Sequence, residues 1–174
     1  MSSTCRPAII SRYRNYDPPF DVSRTVEILL GYVPEGYLGG LKHVELTNST
    51  ATRHLRRGKT WSRGKKVRLS RCSGFYLGDH IQLLVDNLLP RRPGWQFRFL
   101  FVRGAWIARV LYHEIGHHIH RTKLPVYEER EDVADRWRDY LLRVFIRRRF
   151  WYLRPIGKPL GALMRAYSRW RWPD

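Results

Sequence analysis

The sequence predicts an α+β fold with a small β-sheet, one long central helix and a second helix after it. Three observations carry that expectation. Polar and apolar residues alternate in "LKHVELTN" (41–48) and "KKVRLSR" (65–71), the period of half-buried strands, and "HIQLLV" (80–85) reads as a third strand. From about Phe97 to His120 the apolar positions recur at helical spacing instead, and the breaker "LPRRPG" (89–94) divides the two regimes. A chain of 174 residues also suits one core, so a single domain over 21–154 is expected.

Taken in order, residues 1–20 are polar and carry Pro18-Pro19, and they read as a flexible N-terminal segment. "DVSRTVEILLGY" then sets Val22, Val26, Leu29 and Leu30 at helical spacing, with Pro34 and Gly36 as the stop. After the first strand comes "STATRHLRRGKTWSRG", a basic loop over 48–65 whose length marks it as functional or disordered. The glycines of "SGFYLGD" read as a tight turn between neighbouring strands, and the strands are expected to form one sheet. Pro125 can open the second helix, in which Val133, Ala134, Trp137, Tyr140, Leu141 and Val144 make the apolar stripe. That helix should run to about Leu153, with Arg147, Arg148 and Arg149 favourably placed near its C-terminal end. Residues 155–174 form a basic aromatic tail.

Charge and composition bound the function. With 33 Lys+Arg against 15 Asp+Glu the formal charge is +18, a field that draws in anionic partners. Arginines interleave with Phe150, Trp151, Tyr152, Trp170 and Trp172, a mixture suited to nucleic acid as well as to covering a core. No stretch reaches the ~20 uncharged residues of a membrane span, and no apolar run marks a signal peptide. Cys5 and Cys72 lie in no CxxC arrangement, which fits a reduced compartment. A cytoplasmic protein is the expectation, with Cys72 as a small strand residue.

The chemistry concentrates in the long helix. On a helical wheel Trp106, Val110, His113 and His117 share one narrow arc with Glu114 at its edge, while Ala108, Leu111, Ile115 and Ile119 fall opposite. A helix apolar on both flanks is buried, and burying His113, Glu114 and His117 without partners is costly. Zinc supplies the partner. In His113-Glu114-Ile115-Gly116-His117 the imidazoles sit one turn apart, so both can reach a cation about 2 Å from each ring nitrogen. Glu114 lies beside the ion, the place for a general base that deprotonates a zinc-activated water. Gly116 leaves the facing surface open for substrate or backbone. With seven His and seven Glu in the chain, an HExxH arises by chance about once in a hundred such sequences.

A third ligand has to come from elsewhere. No histidine follows His120, and the HExxHxxGxxH pattern meets His120 and Lys123 instead of glycine and histidine. A carboxylate must serve. Six of the fifteen acids fall between Glu128 and Asp139, with like-charged pairs four apart at 128/132, 131/135 and 135/139. Each pair costs a few tenths of a kcal/mol unless something compensates, and Arg136, Arg138 or a divalent ion can do so. Glu128, Glu131, Asp132 and Asp135 are all candidates.

"HEIGH" followed by "EREDVADRW" resembles the gluzincin zinc metallopeptidases, in particular the ImmA/IrrE-like and minimal gluzincin proteins, whose second motif is approximately ExEAxxF. Glu131, Ala134, Asp135 and Trp137 fall on that motif; Trp137 replaces the usual phenylalanine, Asp132 departs from the pattern, and the 48–65 loop is additional. The resemblance implies a zincin-like fold, a small mixed sheet on the zinc helix followed by a glutamate helix. It also implies that Glu131 is the third zinc ligand and that Asp135 hydrogen-bonds a ligand histidine. "GFYLGDHIQLLV" would then supply the edge strand that holds an extended protein or peptide substrate. Tyr76, His80 and Tyr127 are candidate oxyanion donors, and His118 and His120 are expected either beside the ligands or in solvent. The expected activity is zinc-dependent peptide hydrolysis with Glu114 as general base. The alternative is a basic nucleic-acid-binding protein with a structural or vestigial zinc site; membrane attachment is disfavoured, and the oligomeric state is left open.

Overall fold

In a computed structural model the chain is described over residues 6–52, 59–62, 65–68, 72–90, 94–123 and 131–153. The tail 155–174, Tyr127, Glu128 and Pro125 lie outside these residues. The architecture is α+β. A four-stranded mixed sheet comprises β1 (Ala8–Arg12), β2 (His43–Thr47), β5 (Gly74–Tyr76) and β6 (His80–Leu84), in the order β1-β2-β6-β5. The pairs β1–β2 and β2–β6 are parallel, and β5 runs antiparallel to β6 at the other edge. Among the described residues four α-helices accompany it: α1 (Val22–Leu30), the single turn α2 (Val85–Leu88), α3 (Leu100–Lys123) and α4 (Glu131–Arg149).

Pleating sends alternate side chains to opposite faces. Val44 and Leu46 of β2 and Ile81 and Leu83 of β6 are wholly buried, joining the core with Val26 and Leu29 of α1 and Ile107, Leu111, Ile115 and Ile119 of α3. The other face of the same strands carries His43, Glu45, His80 and Gln82. Asp21 opens α1 by accepting from the Arg24 amide at 2.8 Å, which satisfies one donor of the first turn. The helix stops at Gly31, before Pro34. Tyr112 of α3, wholly buried, donates its hydroxyl to the Leu29 carbonyl at 2.9 Å and so ties the two helices together.

Helices α3 and α4 lie antiparallel and touch at two glycines. A Cβ on Gly104 would meet the Phe145 ring at 3.1 Å; one on Gly116 would meet the Ala134 carbonyl oxygen at 2.7 Å and its Cα at 2.8 Å. Gly116 is therefore where α4 backbone presses on α3, with no space left for substrate.

Several expectations are corrected. Residues 1–20 are not all outside the domain, because Ala8–Arg12 forms a sheet edge in register from Ala8↔His43 to Arg12↔Thr47. Only a half-buried Ile9-Ile10 pair is needed there, too short a pattern to stand out among the flanking arginines. "KKVRLSR" supplies β4 (Lys65–Arg68), but β4 pairs antiparallel with β3 (Lys59–Ser62) in a hairpin separate from the main sheet. Part of the 48–65 loop is thus strand. In α4 the buried residues are Ala134, Leu141 and Phe145, whereas Tyr140 is exposed. Trp106 is half exposed, so the arc it shares with His113 is open at its N-terminal end. No helix among the described residues is long and apolar enough to cross a membrane.

Candidate metal centre

The centre forms where the second half of α3 faces the first turn of α4. His113 and His117, one turn apart on α3, set their Nε2 atoms 3.1 Å from each other. Glu131, the first residue of α4, brings Oε2 to 3.2 Å from His113 Nε2. Ligand atoms about 2.0–2.1 Å from a tetrahedral zinc lie roughly 3.3–3.4 Å apart, so both separations are close to the edges of such a site. The rings stand at 89° to each other, which lets each aim a nitrogen lone pair at one point. His113, His117 and Glu131 thereby form one of two groups of potential metal ligands among the described residues.

Asp135, one turn beyond Glu131, places Oδ1 2.9 Å from His113 Nδ1. Arg138 Nη1 donates to the same oxygen at 2.7 Å and holds the carboxylate in place. With Asp135 accepting, the His113 proton sits on Nδ1, and the Nε2 lone pair faces the Glu131 carboxylate. Two acceptors at that distance repel unless a cation lies between them. A second proton on His113 would relieve one contact. A divalent ion relieves it and also takes the lone pair of a third donor, so the donor set fits a metal. Fixing one tautomer through a carboxylate raises ligand basicity. Asp135→Asn is accordingly expected to weaken divalent-metal binding at this centre about 10- to 100-fold, as read by competition with a chromophoric chelator, without changing the helix content.

Glu114 is 7% exposed and lies outside the ligand group. Its side chain runs against the edge strand: a Cβ on Gly74 would come within 3.1 Å of Glu114 Cγ and 2.7 Å of Val110 Cγ1. Glycine at 74 is what allows β5 to approach α3 this closely. The ligand side chains remain partly open, His113 at 20% and Glu131 at 27% exposure, so a reactant can reach them.

Cys72, two residues before β5, belongs to this environment and was missed in the sequence. Burial raises its thiol pKa first, and the carboxylates of Glu114 and Glu131 raise it further. It is not a strand residue. Its position just ahead of the edge strand was the one available signal.

The other proposed polar residues sort differently. Tyr76 donates its hydroxyl to the Gly78 carbonyl and also meets His118 Nδ1 at 3.1 Å. His118 is buried, with Nε2 3.1 Å from the Gly39 carbonyl. Desolvation lowers its pKa, against the pull of that carbonyl. His118 therefore joins β5, α3 and the Gly39 turn, and His120 is also buried; neither faces solvent as one expectation had it. His80 is on the sheet face turned away from α3, stacked on His43, and drops out as an oxyanion donor. No family model, curated protein or solved structure matches the chain.

Proposed function

We propose that the protein is a zinc-dependent metallopeptidase of zincin-like fold. The observation that carries this reading is the meeting of His113, His117 and Glu131 at near-tetrahedral separations, with the buried Glu114 beside them under a sheet edge. Two imidazoles and one carboxylate are the donor set of catalytic zinc in peptidases, which keep a fourth position for water or substrate. When bound, the metal supplies Lewis acidity, lowering the pKa of water and polarising a carbonyl.

The chain's own groups do the rest. Glu114 accepts the proton of the attacking water and passes it to the departing amine, two transfers that one carboxylate can make in sequence. Asp135 and Arg138 hold the His113 ring in its ligating orientation. The outer edge of β5 is the end of the sheet, and an extended peptide can pair with such an edge through its backbone. The contact between Gly74 and Glu114 would bring a peptide bond held there close to the base. The substrate would then be recognised mainly through its main chain.

A second reading, a basic nucleic-acid-binding protein with a structural zinc site, draws on the exposed Trp95, Phe99, Trp106, Trp151 and Tyr152 in a chain of charge +18. Incubating the purified chain with casein separates the two. The peptidase reading expects cleavage that stops with 1,10-phenanthroline and returns with zinc while the fold persists. A zinc-replete, folded chain that leaves casein intact, and whose nucleic-acid binding vanishes on chelation together with its helicity, would favour the second.

A further inference from the structure

We propose that the chain carries a second divalent-metal site, built from His43, Glu45 and His80 on the sheet face opposite α3. It uses none of the residues of the first centre and stands or falls apart from the peptidase reading.

Parallel pairing of β2 with β6 sets His43 beside His80 and Glu45 beside Gln82. Because strand side chains alternate, these four share a face while Val44, Leu46, Ile81 and Leu83 fill the core on the other. His43, Glu45 and His80 each bring a ligand atom within 4.8 Å of the others. The set is two imidazoles and one carboxylate, which suits zinc and its late first-row neighbours better than magnesium or calcium.

Three features of the surroundings favour a cation there. His80 Nδ1 lies 2.8 Å from Asp79 Oδ1, and Lys42 Nζ steadies the second oxygen of Asp79 at 2.8 Å. The carboxylate thus keeps the proton on Nδ1 and leaves the His80 Nε2 lone pair for a ligand, as Asp135 does for His113. Glu45 is mostly buried, its side chain 14% exposed, yet its nearest cation is the exposed Arg12 guanidinium at 3.9 Å. A carboxylate this far withdrawn from water with so weak a counter-charge gains from a closer cation. Gln82 donates Nε2 to Glu45 Oε2 at 3.2 Å, which orients the carboxylate, while its own Oε1 is buried without a hydrogen-bond partner.

The imidazoles now stack, centroids 4.7 Å apart and 10° from parallel. A metal sits near the plane of each ring it binds, so capture requires the His43 ring to turn out of the stack about χ2 while Asp79 holds His80. That torsion is broad in histidine, and both side chains are partly exposed. The bound ion would clamp β2 to β6 at the start of both strands. It would act on stability and not on the chemistry across the sheet.

The test is zinc stoichiometry by equilibrium dialysis with elemental analysis. The native chain is expected to bind two zinc ions, the His113→Asn/His117→Asn variant one, and the His43→Asn/His80→Asn variant one. Asp79→Asn, an exposed change, should weaken only the second site, by about 10- to 100-fold. On the unaltered chain, carbethoxylation followed by peptide mass spectrometry reports each histidine without relying on any variant's folding. Zinc beyond the first equivalent is expected to protect His43 and His80. Labelling of those two unchanged at saturating zinc, or a native chain that stops at one ion and loses it only through His113 and His117, would overturn the proposal.

Discussion

Exchanging Glu114 for glutamine is expected to cut peptide hydrolysis about 100- to 10,000-fold, the range a positioned general base contributes, while the chain still binds zinc at its first centre. Glutamine keeps the length and shape of glutamate, so the close contact with Gly74 survives. It cannot take a proton from water. Because Glu114 lies outside the ligand group of His113, His117 and Glu131, the metal content should not move. Two measurements on the same preparation decide the matter: zinc per chain, and the rate of casein cleavage. A variant that cleaves at the native rate would remove Glu114 from the role of base. Loss of the metal would instead make it a ligand and would call for a different proton acceptor.

The readability of this centre followed from helical geometry. Two histidines four apart on one helix face the same way in any fold, so His113 and His117 could be paired before any coordinates. That Asp135 meets one of the two histidines was expected only through resemblance to a family motif; the geometry names His113, whose Nδ1 meets a carboxylate oxygen at 2.9 Å. The resemblance set Glu131 apart from Glu128, Asp132 and Asp135, since which acid begins α4, and where α4 lands on α3, depends on packing at Gly104 and Gly116.

What could not be read depends on contacts between distant segments. His43 and His80 are separate residues in the sequence and become neighbours through the parallel register of β2 and β6, which no local pattern encodes. The edge strand Ala8–Arg12 is stabilised by its pairing with β2 more than by its own half-buried residues. Tyr140 had the spacing of a core residue, but α4 turns Phe145 toward Gly104 instead, and a helical wheel leaves such small rotations undetermined. The strand β3 inside the 48–65 segment was not read because, among the described residues, it pairs with β4 and not with the main sheet.

Gly116→Ala is expected to destabilise the fold and weaken the first metal centre together, although alanine is the better helix former. Propensity alone favours alanine by about 1 kcal/mol. Against this, the new Cβ would lie 2.7 Å from the Ala134 carbonyl oxygen and 2.8 Å from its Cα. Those atoms are backbone and have no rotamer to adopt, so α4 must move outward as a unit. Overpacking of this kind costs about 1–3 kcal/mol, enough to outweigh the propensity gain over most of that range. The displacement falls three residues from Glu131, the ligand proposed on α4, and should lengthen its approach to His113. Gly104→Ala is the control, since there the Cβ meets the tip of the Phe145 ring at 3.1 Å, and a side chain can give way. Thermal unfolding with and without chelator separates the two effects: Gly116→Ala should melt lower in both conditions and gain less from zinc than the native chain does. Were it instead to melt higher, with unaltered zinc affinity, helix propensity would have prevailed and the tight α3–α4 contact would have no part in holding the ligand.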